Sequence, residues 1–198
     1  KTLKINLNNP IVIFTLHSIP IEEQKFHVNI KNCLKALKKI AKNNINIIIT
    51  NPNSDRGGDK ILNKIKRIKK FKNIKFFNSL GRYYYHGIFS LVKKKKIPVV
   101  CVGNSSSGIK ETAIFGCPVV NIGKRQNGRL RSDNIIDVDY NYLKIYKSVM
   151  KCIYDKNFKK KCLKSKNVYG GGDTAKKIVN FLENLKLKRE KILIKKFI

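Results

Sequence analysis

A chain of 198 residues is long enough for one well-buried domain with a tail, and its hydrophobic share of 42% suits a globular core. No apolar run approaches the ~18–20 residues that cross a bilayer, and no signal peptide is visible, so membrane insertion is not expected. The 44 Lys and Arg against 12 Asp and Glu leave a formal charge of +32, which would ordinarily point to nucleic acid or an anionic surface.

Other features count against a dedicated polyanion binder. The basic residues are mostly lysine and run along the whole chain, and Asn and Ile rise with them even in core-like runs such as NNINIIIT. That pattern reads as compositional drift rather than selection for nucleic acid. The five cysteines, Cys33, Cys101, Cys117, Cys152 and Cys162, are odd in number and form no CxxC pair. They read as reduced core thiols of a cytoplasmic protein.

Residues 1–10 read as an entry segment or linker. Ile11–Leu16 is a continuous apolar, β-branched run ending at His17, as a buried parallel strand requires. Apolar positions at helical spacing over 22–43 predict a long helix with a lysine-rich outer face. Asn46–Thr50 is a second strand, followed by the turn cluster NPNSDRGGDK. A short basic helix over 59–70 and a third strand at Ile74–Phe77 come next. The loop NSLGR and a helix over Tyr83–Val92 follow, with Lys93–Lys96 as its solvated end. Two further strands, Ile97–Val102 and Pro118–Ile122, flank a polar loop and a short amphipathic helix. Ile135–Val138, helices over 140–153 and 156–164, and a last helix to about Leu187, capped by Asp173, complete the pattern. The tail 188–198 is basic and apolar. Strands alternating with helices, without tight hairpins, predict an α/β fold of doubly wound, mainly parallel sheet.

In such sheets ligands sit beyond the carboxyl ends of the strands. His17, the Asn53–Gly57 loop, Ser79–Gly81, Asn104–Gly108 and Gly123–Arg129 all fall there. Ser105, Ser106 and Ser107 with Gly108 offer hydroxyls and backbone donors before a helix, chemistry that suits a phosphate and equally suits an N-cap. Glu111, read as lying in the first turn of that helix, could complement the dipole or accept the two hydroxyls of a ribose. Scarce acids favour the second role. Arg125 and Arg129 cluster in a chain that overwhelmingly uses lysine, and arginine suits bidentate phosphate recognition. His17 could polarise a phosphate oxygen or shuttle a proton, although an isolated histidine is more often structural. His27 and His86 are placed on helix faces, and no spacing suggests a metal site. Neither a P-loop nor GxGxxG is present.

The stretch GNSSSGIKETAIFGCPVVNIGKRQNGR resembles the UDP-N-acetylglucosamine 2-epimerases, above all the hydrolysing branch. FTLH, NPNSDRGG, NSLG and VYGGGDTAKKIVNFL agree with further family motifs in the same order, so the likeness runs from about Asn6 to Leu185. It implies the Rossmann-like C-terminal half of a GT-B fold, with residues 11–187 as the UDP-binding domain. It also implies a second Rossmann-like half N-terminal to Lys1, homo-oligomers, a UDP-sugar substrate and no cofactor. By resemblance, Ser105, Ser106 and Arg125 hold the diphosphate, and Glu111 holds the ribose. Asn53 lines the site, Ser79 and Leu80 lie by the uracil, and His17 meets the phosphate and is needed for activity. The reaction implied is loss of the C2 proton and of UDP to a glycal, then hydration to N-acetylmannosamine for sialic acid synthesis. The acid and base carboxylates of the family lie mainly in the other half.

Three features depart from the family pattern. Ser18 replaces a proline in HSIP, Gly171 replaces an acid in YGGG, and the segment before VVCVGN is about three residues longer. These bear on sugar specificity, so an epimerase of a UDP-diacetamido sugar is the alternative. A noncatalytic nucleic-acid module is the alternative of a different class.

Overall fold

The structure, a computed structural model, describes residues 3, 5–19, 25–55, 57–68 and 71–185. The expected tail 188–198, the last residues of the final helix, positions 22–24 of the first helix and Arg56 lie outside the described residues.

Six strands form one sheet: β1 (Ile11–Thr15), β2 (Asn46–Thr50), β3 (Ile74–Phe77), β4 (Val99–Gly103), β5 (Val119–Ile122) and β6 (Ile135–Val138). Their order is β3-β2-β1-β4-β5-β6, and every neighbouring pair is parallel. The expected doubly wound parallel sheet is therefore present. The helices are α1 (Phe26–Ala41), α2 (Gly58–Ile65), α3 (Gly81–Lys94), α4 (Ser106–Lys110), α5 (Tyr142–Tyr154), α6 (Lys156–Lys164) and α7 (Thr174–Glu183). The predicted helix over 59–70 is shorter than expected: α2 tightens into a 3₁₀ turn at Lys66–Ile68.

The apolar runs of β1, β2, β4 and β5 form strands buried on both faces, while the edge strands β3 and β6 are only partly buried. Val12, Phe14, Ile47, Ile49, Val100, Val102 and Val120 face one way, against Ile30, Leu37 and Ile40 of α1 and Ile145 and Val149 of α5. Ile11, Ile13, Ile48, Val99, Cys101 and Val119 face the other way, against Ile88 and Phe89 of α3. Each such side chain contributes about 1.5–3 kcal/mol when fully buried. Among the described residues no Lys or Arg is buried, so the +32 charge is a property of the surface. All five cysteines are buried free thiols, and burial pushes Cys33 and Cys101 up to about 12.

Residues up to Val168 form one compact unit, and the chain from Tyr169 begins a second. In the second unit, α7 carries Ile178, Phe181 and Leu182 at helical spacing. Asp173 precedes α7 without the expected capping bond; its carboxylate pairs instead with Lys177 at 2.7 Å.

The sheet changes direction between β1 and β4. From β1 the chain winds outward through β2 and β3, then returns to β4 on the other side of β1. At this seam Gly103 lies in register with Thr15, at φ +131°. A Cβ on Gly103 would stand 1.9 Å from the Thr15 carbonyl oxygen. Neither the backbone conformation nor the space admits a side chain. Gly103→Ala is expected to cost about 3 kcal/mol or more. Chemical denaturation of the purified variant checks this, and a midpoint equal to that of the unmodified protein would count against it.

Candidate functional site

A cavity of about 690 Å³ opens at the carboxyl ends of β1 to β4. Strand ends supply Thr15 and His17 from β1, Thr50 and Asn51 from β2, and Asn78, Ser79 and Leu80 from β3. Arg82, Tyr85 and His86 of α3 form one wall, and Ser105, Ser107 and Glu111 another. Of the residues singled out in the sequence, His17, Ser79, Leu80, Ser105 and Glu111 thus line one space.

The others stand around it. Asn53 donates its backbone N–H to His17 Nδ1 at 3.0 Å, while its side-chain amide is hydrogen-bonded to Asp55. Ser106, half-buried, opens α4 and is not in the lining. Gly108 is buried, and a Cβ there would meet Val119 Cγ1 at 3.2 Å and Cys101 Sγ at 3.4 Å. Its place is set by close packing of helix on sheet, a recognised use of glycine in nucleotide folds. Arg125, 26% exposed, donates from Nη1 to the Asn104 carbonyl at 3.3 Å, and its Nη2 lies 3.9 Å from Asp55.

Two expectations are corrected. The helix after the serine loop has only the five residues Ser106–Lys110, and Ser105 makes no capping bond with its side chain. So short a helix has little dipole to offer an anion. Instead Ser105 Oγ lies 3.0 Å from Ser107 Oγ, which lies 2.7 Å from the Tyr85 hydroxyl, leaving a row of hydroxyls along the cavity. Glu111 is not in a first turn either. It is the C-cap of α4, its N–H donating to the Ser107 carbonyl at 2.9 Å, and it also stands at the N-cap of the 3₁₀ turn Thr112–Phe115. Glu111 ends beside His86 instead, Oε2 lying 2.7 Å from Nε2.

Three further residues organise the site without a role assigned from the sequence, although Asn104 and Gln126 lie within the family-like stretch. Asn104, fully buried, accepts the His17 N–H at 2.7 Å and donates to the His17 carbonyl at 2.9 Å. Gln126, also buried, donates to the Asn104 carbonyl at 2.8 Å. Asn134 donates to Thr112 Oγ1 and to the Cys117 carbonyl, while Thr112 Oγ1 donates to the Gly108 carbonyl at 2.6 Å, fixing the turn that carries Glu111. Among the described residues no group of three or more His, Cys, Asp and Glu could hold a metal ion. No helix among them is long and apolar enough to cross a membrane.

A family model described as UDP-N-acetylglucosamine 2-epimerase matches residues 1–183. The chain belongs to this family. It is 35% identical over 146 residues to a Campylobacter jejuni GDP/UDP-N,N'-diacetylbacillosamine 2-epimerase (hydrolysing), covering 72% of this chain and 36% of that protein. It is 32% identical to a Legionella pneumophila UDP-N,N'-diacetylbacillosamine 2-epimerase (hydrolysing), covering 89% and 43%. The fold matches that of a UDP-GlcNAc 2-epimerase from Neisseria meningitidis bound to UDP-GlcNAc, at TM-score 0.73 and 17% identity, over 91% of this chain and 46% of that one. The chain thus spans less than half the length of these epimerases.

Burial of the imidazole, and then the Arg125 charge, lower the pKa of His17 below its ordinary 6.5, against the opposing effects of Asn53 and Asp55. The folded state of this epimerase domain disfavours the charged ring, so the unfolded chain binds the proton more readily. The contribution of His17 to stability is full above pH 6.5 and is lost as pH falls from there through the lowered folded value. Denaturation between about pH 7.5 and 5 should show His17→Gln losing less stability on acidification than the unmodified protein. Equal slopes would contradict this assignment.

Proposed function

We propose that this chain is the UDP-binding half of a hydrolysing UDP-N-acetylglucosamine 2-epimerase. The observation that carries the reading is the gathering of His17, Ser79, Leu80, Ser105 and Glu111 around one cavity at the switch point of the sheet. Family membership gives that cavity its chemistry.

In this reading the Ser105 and Ser106 segment and Arg125 hold the diphosphate, with the row of hydroxyls from Ser105 to Tyr85 supplying directed partners. Glu111 accepts the ribose hydroxyls. Leu80, buried and apolar, and Ser79 flank the uracil, and Asn53 holds His17 in place. His17, neutral before ligand arrives, stands where it can donate to a phosphate oxygen and support charge that develops on the departing UDP. The C2 proton leaves, the bond from C1 to the diphosphate oxygen breaks, and a glycal and UDP result. Water then adds across the double bond to give N-acetylmannosamine. Proton transfer at C2 belongs to carboxylates of the other half: Glu111, the one carboxylate lining the cavity among the described residues, is assigned to the ribose.

The two relatives of 35% and 32% identity are named as diacetylbacillosamine 2-epimerases. They favour a UDP-diacetamido sugar, with the same leaving group and the same roles for these residues. The change would lie at the sugar, near the departure at Ser18, the residue after His17.

Glu111→Ala is expected to weaken UDP binding by about 1.5–3 kcal/mol, roughly ten- to a hundredfold, the range for hydrogen bonds to a charged group. Inorganic pyrophosphate, lacking the ribose, should bind as before. Calorimetric titration of both ligands decides it, and an unchanged UDP affinity would sink the ribose assignment. Expressed as a separate domain, these 198 residues should bind UDP weakly and release no free sugar from either UDP-sugar. Detectable release of N-acetylmannosamine or of the diacetamido sugar would overturn that division of labour.

A further inference from the structure

We propose that His86 is a positioning residue that fixes the Glu111 carboxylate for the ribose; this rests on the ribose assignment made above for Glu111. His86 Nε2 lies 2.7 Å from Glu111 Oε2, a hydrogen bond of charge-assisted length. The bond occupies one oxygen from one side. Glu111 Oε1 and the remaining lone pair of Oε2 stay open to donors such as hydroxyls.

The need for such a partner follows from where Glu111 sits. It stands at the junction of α4 and the 3₁₀ turn Thr112–Phe115, and its side chain is 43% exposed. A glutamate in that position samples several rotamers, and ordering it on ligand binding costs affinity. The imidazole itself is held firmly. Its ring is 5.3 Å from that of Phe115, four residues beyond the carboxylate it holds, and 6.2 Å from that of Tyr85. Phe115 and Tyr85 in turn both pack on Phe89, which is fully buried. A rigid chain of rings therefore runs from the core of α3 to the Glu111 carboxylate. The charged and titratable groups that share this cavity wall are Arg82, Tyr85, His17 and Glu111 itself.

A histidine present only for packing would leave ligand selectivity untouched when replaced by a residue of similar bulk. A positioning role predicts a split instead. His86→Leu keeps apolar contact with Phe115 and Tyr85 but loses the donor. It should weaken UDP about five- to tenfold and leave inorganic pyrophosphate within about twofold. His86→Gln, whose amide nitrogen can replace Nε2–H, should restore UDP to within about twofold. In a double-mutant cycle, His86→Leu should add nothing to Glu111→Ala, because the group it positions is gone. Thermal denaturation of each variant checks that the fold is retained.

The proposal is overturned if His86→Leu binds UDP normally, if it loses UDP and pyrophosphate alike, or if its effect adds in full to that of Glu111→Ala. The Glu111→Ala arm read alone separates the two levels. If it weakens UDP while His86→Leu does not, the ribose assignment stands and the positioning role fails. If Glu111→Ala leaves UDP unchanged, the ribose assignment falls and the positioning role falls with it.

Discussion

Asn104 lies where β1 and β4 end, and its side-chain amide does what the ladder can no longer do. Beyond Thr15 and Gly103 the strands are no longer paired as sheet, yet the His17 N–H and carbonyl must be satisfied in a half-buried place. Asn104 accepts from the first and donates to the second, at 2.7 and 2.9 Å. Its own carbonyl takes Gln126 and Arg125, so one buried residue ties the loops after β1, β4 and β5 together. An amide is the neutral side chain that combines donor and acceptor in this way, and leaving either backbone group unpaired would cost about 1–3 kcal/mol. Gly103 makes the arrangement possible by admitting the Thr15 carbonyl where any side chain would clash.

Charge works on this frame at two ranges. The surplus of lysine raises the encounter rate of any phosphorylated molecule and does not choose between them. On the proposed reading, selection falls to short-range groups: the hydroxyl row, one arginine and one carboxylate. A carboxylate in a site for an anionic ligand is unfavourable unless it gains specific donors in return, and ribose hydroxyls meet that condition where a bare phosphate does not. That asymmetry separates a nucleotide pocket from a general polyanion surface more sharply than net charge does.

The sheet, its direction and the edge where the polar loops gather around a cavity were legible because they follow from short-range patterns. Ile11–Leu16 and Asn46–Thr50 are unbroken apolar runs of strand length, and the polar loops after them fall on one edge once the strands are parallel. The position of Glu111 relative to its helix was not legible. Helical spacing continues through residue 111, but Thr112 turns its hydroxyl back on the Gly108 carbonyl and Asn134 holds that threonine, so the helix ends early. The anchor between Asn104 and His17 spans 87 residues, and local pattern does not reach that far. His86 was legible as a helical residue and not as a partner of Glu111, 25 residues away, for the same reason.

The architecture also explains how labour is divided in an enzyme of this family. Holding a nucleotide diphosphate needs preorganised donors and one well-held acceptor, and a single doubly wound sheet supplies these at its switch point. Moving a proton at carbon needs a base aimed at the opposite side of the substrate from the leaving group. On the proposed reading, the groups at this strand edge all converge on the nucleotide from one side. Glu111 is already committed, bonded to His86 on the α3 wall. A base drawn from the same edge would compete with that carboxylate for space and for the same donors. On the same reading, a base supplied from a second domain would avoid that conflict and could approach C2 from the face opposite the departing C1 oxygen.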